Sequence, residues 1–380
     1  MRILRRVCIK KFINKTMFKL LNSIENNLFY WIMGAIIAGL AVVQFFGGYK
    51  FTPSICILAA LVMIYPSFVP LAFSKLPAAM RNYKIITASV FVNFIIFPIA
   101  AFYVGEIFLE DEPVFRLGLI LLALLPGGGM VTTWAMKSKA DMSITVGIII
   151  VNLIVAIVAV PFGLSFFMSY FELDKGQGAA YVAIEQSAGT GQEICAVEQV
   201  TKGVASCNFG GDEISPMKIA VPIFVIIVIP LLVAYITQRR LIKKRGRKYF
   251  KSIEKNFSKF SNLGLIIVIF VLMSLENNSI IFENPKIIVD IFIPLFIFYT
   301  IGLVVVLFLY KFFKNKKIGK AFVWGGYLRY ITLALGIATS LVFQDEYLAP
   351  IMTIVVLAYF IQIPSSFVLA KFLQKSDKNI

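Results

Sequence analysis

The apolar residues of this chain arrive in blocks about as long as a bilayer is thick, and that spacing leaves few folds open. A helix needs roughly 20 apolar residues to cross the hydrocarbon core. Hydropathy marks about ten such blocks, at roughly 28–46, 54–73, 85–108, 114–136 and 142–168, then 218–238, 262–276, 286–310, 320–343 and 347–372. Only 15% of the 380 residues are charged and 59% are hydrophobic, whereas soluble domains carry about a quarter charged residues. The expected fold class is an all-α integral membrane protein.

The formal net charge is +17. Its basic residues stand in short loops between apolar blocks, which is how cytoplasmic loops of membrane proteins look. Nucleic acid is therefore not expected as a partner, whereas membrane lipid is. Lys10, Lys11, Lys15 and Lys19 precede the first block, and Lys75, Arg81 and Lys84 follow the second. Lys137 and Lys139 follow the fourth, the run Arg239 to Lys259 follows the sixth, Lys311 to Lys320 the eighth and Lys371 to Lys378 the tenth. The alternate loops are acidic or neutral, with Glu110, Asp111, Glu112, Glu276, Glu283, Asp345 and Glu346. This alternation puts both termini in the cytoplasm and the chain in the cytoplasmic membrane.

An odd count of five spans per half turns the second half over relative to the first. The expectation is two inverted five-helix repeats, at 28–170 and 218–372, after a basic leader at 1–27 and before a cytoplasmic tail at 373–380. An outer polar insertion at 171–217 separates them. It holds Cys195 and Cys207, which are either a disulfide permitted by an outer location or two separate thiols. Cys8 and Cys56 stand apart.

Two spans are interrupted. The fourth contains Leu125-Pro126-Gly127-Gly128-Gly129-Met130 and the ninth contains Trp324-Gly325-Gly326-Tyr327-Leu328-Arg329-Tyr330. In lipid every backbone N–H and C=O needs a partner, so such a break survives only inside protein or beside a water-filled cavity. Matching breaks in two halves point to a transporter's binding site, and the fourth and ninth helices are expected to cross there. The Gly127–Gly129 run frees N–H groups at the start of a half-helix, where the dipole favours an anion, and Thr132 and Thr133 add hydroxyls within a turn. The same glycines could serve only to let two helices cross closely.

Arg329 is the sharpest single residue, about nine positions past Lys320 and so roughly half a bilayer deep. A charge at that depth faces a cavity or a partner. Arg329 either caps carbonyls freed by the break at Gly325-Gly326 or offers counter-charge to an anionic substrate. Asn93, Asn152, Thr332 and Gln362 are polar at lipid depth. Each could be an interhelical hydrogen bond or a ligand, and Asn152 and Gln362 occupy analogous positions in the last span of each half.

The chain contains no histidine, which removes histidine acid–base chemistry and histidine metal ligation. No resident cofactor or metal is expected. An enzyme acting on lipid-linked substrates would need clustered acids or a nucleophile and base, and neither is visible. A sensor reading an outer ligand through the 171–217 insertion is a further alternative.

These motifs resemble the bile acid/sodium symporter superfamily, closest to its arsenical-resistance-3 type permeases. The residues that carry the resemblance are Met63-Ile64-Tyr65-Pro66, Val92-Asn93-Phe94 with Pro98, Leu117-Gly118-Leu119-Ile120-Leu121 leading into Pro126 to Met130, then Trp134, Lys137 and Asp141, and Leu333-Ala334-Leu335 after the second break. The resemblance implies a panel and a core domain, crossing broken helices, alternating access and coupling to Na⁺ or H⁺. It also implies two departures. The arsenite branch carries a cysteine thiolate in its fourth-span break, where this chain has Gly127–Gly129, and a glutamate in the ninth span that falls at Thr332. A soft thiol is the natural ligand for As(III). The expected function is thus a non-enzymatic secondary transporter of a small anion or organic anion, with arsenite or metalloid efflux as the alternative. The expected site residues are Gly127, Gly128, Gly129, Thr132, Thr133, Asn93, Asn152, Arg329, Thr332 and Gln362.

Overall fold

A computed structural model describes residues 21–24, 27–48, 64–71, 73, 76–171, 216–274, 286–340 and 345–375. The leader, most of the second apolar block, the polar insertion with its two cysteines, Cys8, Cys56 and the extreme tail lie outside the described residues.

The described residues are helical almost throughout. In chain order the helices are α1 (Leu28–Phe46), α2 (Leu76–Met80), α3 (Tyr83–Phe108), α4 (Pro113–Leu124), α5 (Gly129–Lys137), α6 (Met142–Tyr170), α7 (Pro216–Met273), α8 (Lys286–Tyr310), α9 (Lys316–Tyr327), α10 (Ile331–Ser340) and α11 (Asp345–Lys375). Five are long and apolar enough to cross a membrane, over Tyr83–Phe108, Met142–Tyr170, Ile223–Phe250, Ile288–Tyr310 and Pro350–Lys375. Shorter apolar helices cover Tyr30–Phe46, Pro113–Leu124 and Lys259–Val271.

Both interruptions are present, and each divides one apolar block into two short helices: α4 and α5 in the first case, α9 and α10 in the second. The second lies later than the glycines suggested. Gly325 and Gly326 are helical within α9, and the chain leaves helical geometry at Leu328–Tyr330. Glycine permits a break but does not impose one, and here the helix runs on, with Ile148 and Val306 packed against the two glycines.

The chain forms two compact units, one from residues 1–71 with 229–282, the other from 72–228 with 283–380. In the first unit, Gln238 donates from Nε2 to the carbonyls of Val69 (3.0 Å) and Leu71 (2.7 Å), and Tyr65 donates to Thr237 Oγ1 at 3.1 Å. A side-chain amide thus closes the carbonyls left open where the 64–68 helix ends. α7 is not one continuous helix. Gly246 has φ 80° and ψ 165°, so the chain turns there before helix resumes.

The second unit holds both breaks. Its centre is α4, buried from Val114 through Leu124. A helix apolar on every side is buried on every side, and α4 packs against α3, α6 and α11. Within α3 the turn Val92–Ile96 is a π-helix. Pro98 follows it, and a proline can neither donate to the carbonyl four residues back nor fit against it, so the helical ladder shifts register there. The shift carries Asn93 into the interior, where it is fully buried. Asp141 caps α6, its Oδ1 accepting from the N–H groups of Ser143 (2.8 Å) and Ile144 (3.0 Å). Its own N–H donates to the Lys317 carbonyl at 3.0 Å, which ties the start of α6 to the first turn of α9.

Candidate functional site

The two breaks meet. Pro126 and Arg329 pair as an antiparallel bridge, and Tyr330 N–H donates to the Leu125 carbonyl at 3.5 Å. Extended backbone from one interrupted span therefore lies against extended backbone from the other. Glycine makes the approach possible. A Cβ at Gly127 would stand 2.9 Å from the Leu328 carbonyl oxygen, and one at Gly128 would stand 2.4 Å from the Tyr330 ring. Gly127 and Gly128 are buried. The bridge turns Gly127 N–H toward the Leu328 carbonyl, while the N–H groups of Gly128 and Gly129 find no acceptor among the described residues. They open α5, so unpaired donors and the positive end of a helix coincide.

Arg329 fills the other side of the crossing and is only 2% exposed. Its guanidinium donates to the Ala123 carbonyl at 3.2 Å, to Asn93 Oδ1 at 2.7 Å and to the Gly326 carbonyl, and it lies over the Phe97 ring at 4.0 Å. Nε has no partner among the described residues. Every acceptor is neutral. Arg116 shows the alternative, since it pairs with Glu106 where α3 approaches α4. Arg329 thus caps a carbonyl from each broken span, and no carboxylate is among its hydrogen-bond partners.

Gln362 of α11 handles the backbone of the second break. Its Oε1 accepts from Arg329 N–H at 2.9 Å and its Nε2 donates to the Arg329 carbonyl at 3.1 Å. The primary amide stands in for a neighbouring β-strand, satisfying both groups of one extended residue. Tyr299 donates its hydroxyl to the same Oε1 at 2.9 Å.

Asn93 extends the network away from the break. Its Nδ2 lies 2.9 Å from the Ser89 carbonyl, 3.2 Å from Ser89 Oγ and 3.3 Å from the Gly325 carbonyl. Asn152 of α6 donates to the same Ser89 Oγ at 2.9 Å, and its Oδ1 has no partner among the described residues. Thr332 is 9% exposed and its hydroxyl likewise lacks a partner among them.

Of the expected site residues, Gly127, Gly128, Gly129, Asn93, Asn152, Arg329 and Gln362 lie along the crossing and the hydrogen-bond network around it, and Thr332 follows Arg329 at the start of α10. The other two differ. Thr132 spends its hydroxyl inside its own helix, donating to the Gly129 carbonyl at 2.7 Å, and Thr133 is exposed. Ser89, Phe97 and Tyr299 join the network without having stood out in the sequence. Ser89 could have been found, because it precedes Asn93 by four residues on the same helical face.

Below the crossing, α5 and α9 are joined through aromatic and polar contacts. Trp134 stacks on Trp324 at 5.7 Å, and Trp324 Nε1 donates to Ser138 Oγ at 2.7 Å. Lys320 is fully buried and donates to the Ser138 carbonyl at 3.2 Å. These ties hold the two half-helices in a fixed relation.

Two interrupted helices thus cross beside a buried guanidinium and the N–H groups that open α5. Residues 57–192 match the Sodium Bile acid symporter family. That is a family of symporters rather than enzymes, and its matched segment includes the first break. The chain is also 24% identical to "Arsenical-resistance protein Acr3" of Corynebacterium glutamicum over 247 residues, which is 64% of this chain and 58% of that relative. It is 23% identical to the protein of the same name from Alkaliphilus metalliredigens over 292 residues, 71% of this chain and 70% of that one. The aligned part thus spans less than two thirds of the Corynebacterium relative. The chain is thus similar to transporters over residues 57–192, and five of its helices are long and apolar enough to cross a membrane.

Proposed function

We propose that the chain is a secondary transporter that carries a small anion or organic anion through the crossing of its two broken helices. The observation that carries this reading is Arg329, a guanidinium 2% exposed whose protein ligands are all neutral oxygens. A buried charge is tolerated when a counter-charge is close. No carboxylate occurs between Lys316 and Ser340, and none between Pro113 and Ala140, and in this reading the cargo supplies the counter-charge. The unpaired N–H groups of Gly128 and Gly129 supply donors of the kind that bind anions at helix N-termini. Asn152 Oδ1 and the Thr332 hydroxyl supply neutral polar contacts.

In this reading the cargo neutralises Arg329 during transit, and release restores the unneutralised state. Transport proceeds by alternating access and is driven by Na⁺ or H⁺, with both termini in the cytoplasm, as the loop charges indicate. The test is flux in proteoliposomes with acetate, taurocholate, phosphate and arsenite as separate probes, under Na⁺ and pH gradients imposed one at a time. Arg329→Lys keeps the charge but loses the planar fork that reaches three acceptors, whereas Arg329→Gln loses the charge. Anion flux that survives in Arg329→Lys and vanishes in Arg329→Gln supports the reading. Equal flux in Arg329→Gln and the parent refutes it.

A second reading is arsenical export, and the observation favouring it is the name shared by the two curated relatives. Against it, the sequence has no cysteine between Cys56 and Cys195, so the first break carries no thiol. Growth of an arsenite-sensitive host decides the matter, with protection at verified expression supporting export and no protection removing it.

A further inference from the structure

The most strongly charged surface of the described molecule lies far along the chain from both breaks, around the turn at Gly246. Arg239, Arg240, Lys243, Lys244, Arg245, Arg247 and Lys248 are all exposed. From Arg239 to Ile253 the sequence has no acid. This exceeds what orientation by loop charge requires, since the other basic loops between apolar blocks carry two to five such residues.

Position gives the excess a use. Residues 221–237 contain no charged residue, and the same helix continues through the basic run without interruption as far as the turn. At 1.5 Å per residue, Arg239 to Arg245 extends about 10 Å past the apolar part, a little more than one headgroup layer of about 5–7 Å. At Gly246 the positive φ of 80° breaks the helix, and a second helical stretch leads to the apolar segment Lys259–Val271. Basic side chains thus flank both arms of a turn whose two ends lead into apolar helix.

Aromatic groups stand among the cations. Arg239 donates to the Tyr235 hydroxyl at 3.3 Å and Arg245 donates to the Tyr249 hydroxyl at 2.6 Å, with its guanidinium 4.8 Å from the Tyr249 ring centre. Tyrosine with its ring toward apolar surface and its hydroxyl among charges is the usual composition at headgroup depth. Clusters of basic residues directly following a membrane helix bind anionic lipid headgroups.

We propose that the basic turn around Gly246 is a binding site for the phosphodiester headgroups of anionic phospholipids in the membrane that holds the chain. Arg239, Arg240, Lys243, Lys244 and Arg245 form one arm of it, Arg247 and Lys248 the other. The site gathers phosphatidylglycerol-type lipid beside the apolar residues that precede and follow it.

The experiment uses the full chain in nanodiscs of phosphatidylcholine with about one fifth phosphatidylglycerol, and compares spin-labelled forms of the two lipids. Each basic residue at a membrane surface contributes about 1 kcal/mol, a factor of about five. The expected result is a several-fold preference for phosphatidylglycerol that falls toward unity in the variant K243Q/K244Q/R245Q/R247Q. It should also collapse near 0.5 M salt, where the screening length is only about 4–5 Å. The paired variants K243Q/K244Q and R247Q/K248Q should each give a partial loss, which keeps the proposal testable if the fourfold variant does not fold. Three results would overturn it. One is an undiminished preference in these variants. Another is an equal loss in K311Q/K314Q/K316Q/K317Q, which would make net charge the cause. The third is displacement of the lipid by a short poly-uridine RNA at moderate salt, which would assign the cluster to a soluble polyanion.

Discussion

The two breaks do the same job by opposite chemical means. The first, Leu125 to Gly128, is bare. Its glycines offer nothing but backbone, and the space a side chain would need is taken by the Leu328 carbonyl and the Tyr330 ring. The second, Leu328 to Tyr330, is dressed. It brings Arg329 to fasten the carbonyls of Ala123 and Gly326, and it borrows Gln362 from a neighbouring helix to pair both backbone groups of Arg329. The difference has a physical reason. Two extended segments cannot both carry bulk where they touch. One must be stripped so that its backbone can approach, and the other must then supply the side chains. The stripped side keeps unpaired N–H groups, while the dressed side contributes the charge.

This contrast can be broken most violently from the bare side. Gly128→Val would place methyl groups into the Tyr330 ring. Overpacking of this kind costs about 1–3 kcal/mol, and even a 1 Å displacement at a working site can cost about 100-fold in rate. The expected outcome is near-complete loss of proteoliposome flux, with a lowered unfolding midpoint by thermal scanning in detergent. Unaltered flux would mean that the crossing does not carry cargo. On the dressed side, Gln362→Leu leaves the N–H and carbonyl of Arg329 without partners in the interior. Each orphaned group costs about 1–3 kcal/mol, so the melting temperature should drop clearly, and Gln362→Glu should recover only the N–H contact.

Asn93→Leu comes next, since it removes one acceptor from Arg329 and loosens Ser89, while the Ala123 and Gly326 carbonyls still hold the guanidinium. A hydrogen bond to a charged group contributes about 1.5–3 kcal/mol. The expected result is a partial flux defect, read as a weaker apparent affinity. The smallest effect is expected at Thr132→Val. Its hydroxyl only turns back onto the Gly129 carbonyl, so a change within about 0.5 kcal/mol should follow. A large flux loss in Thr132→Val would instead draw α5 into the cargo path and make the bare break less bare than it looks.

Much of this arrangement was legible from sequence because lipid restricts the backbone so severely. Apolar blocks of bilayer length read as helices, and Leu125 to Met130 read as an interruption, since proline followed by three glycines has little reason to stay helical. The position of the second interruption was misplaced by a few residues. Gly325 and Gly326 drew attention as helix breakers, yet they stay helical, and the chain opens at Leu328–Tyr330, where no residue has a strong preference against helix. Its opening depends on Gln362, 33 residues further on, and no local reading contains that partner. Ser89 had a local signal, its spacing of four from Asn93, but the second asparagine that meets it, Asn152, comes from another helix that no local reading contains.

The sequence by itself determined the helical class, the two interrupted spans and a charge at lipid depth. It could do so because hydrocarbon penalises every unpaired polar group, and composition therefore maps directly onto what can cross. Only the tertiary structure decided that the breaks touch, that Arg329 is held by neutral oxygens, and which threonine hydroxyls are already used. Those outcomes depend on which side chains from distant segments reach the same few ångströms, and distance along the chain carries no record of that.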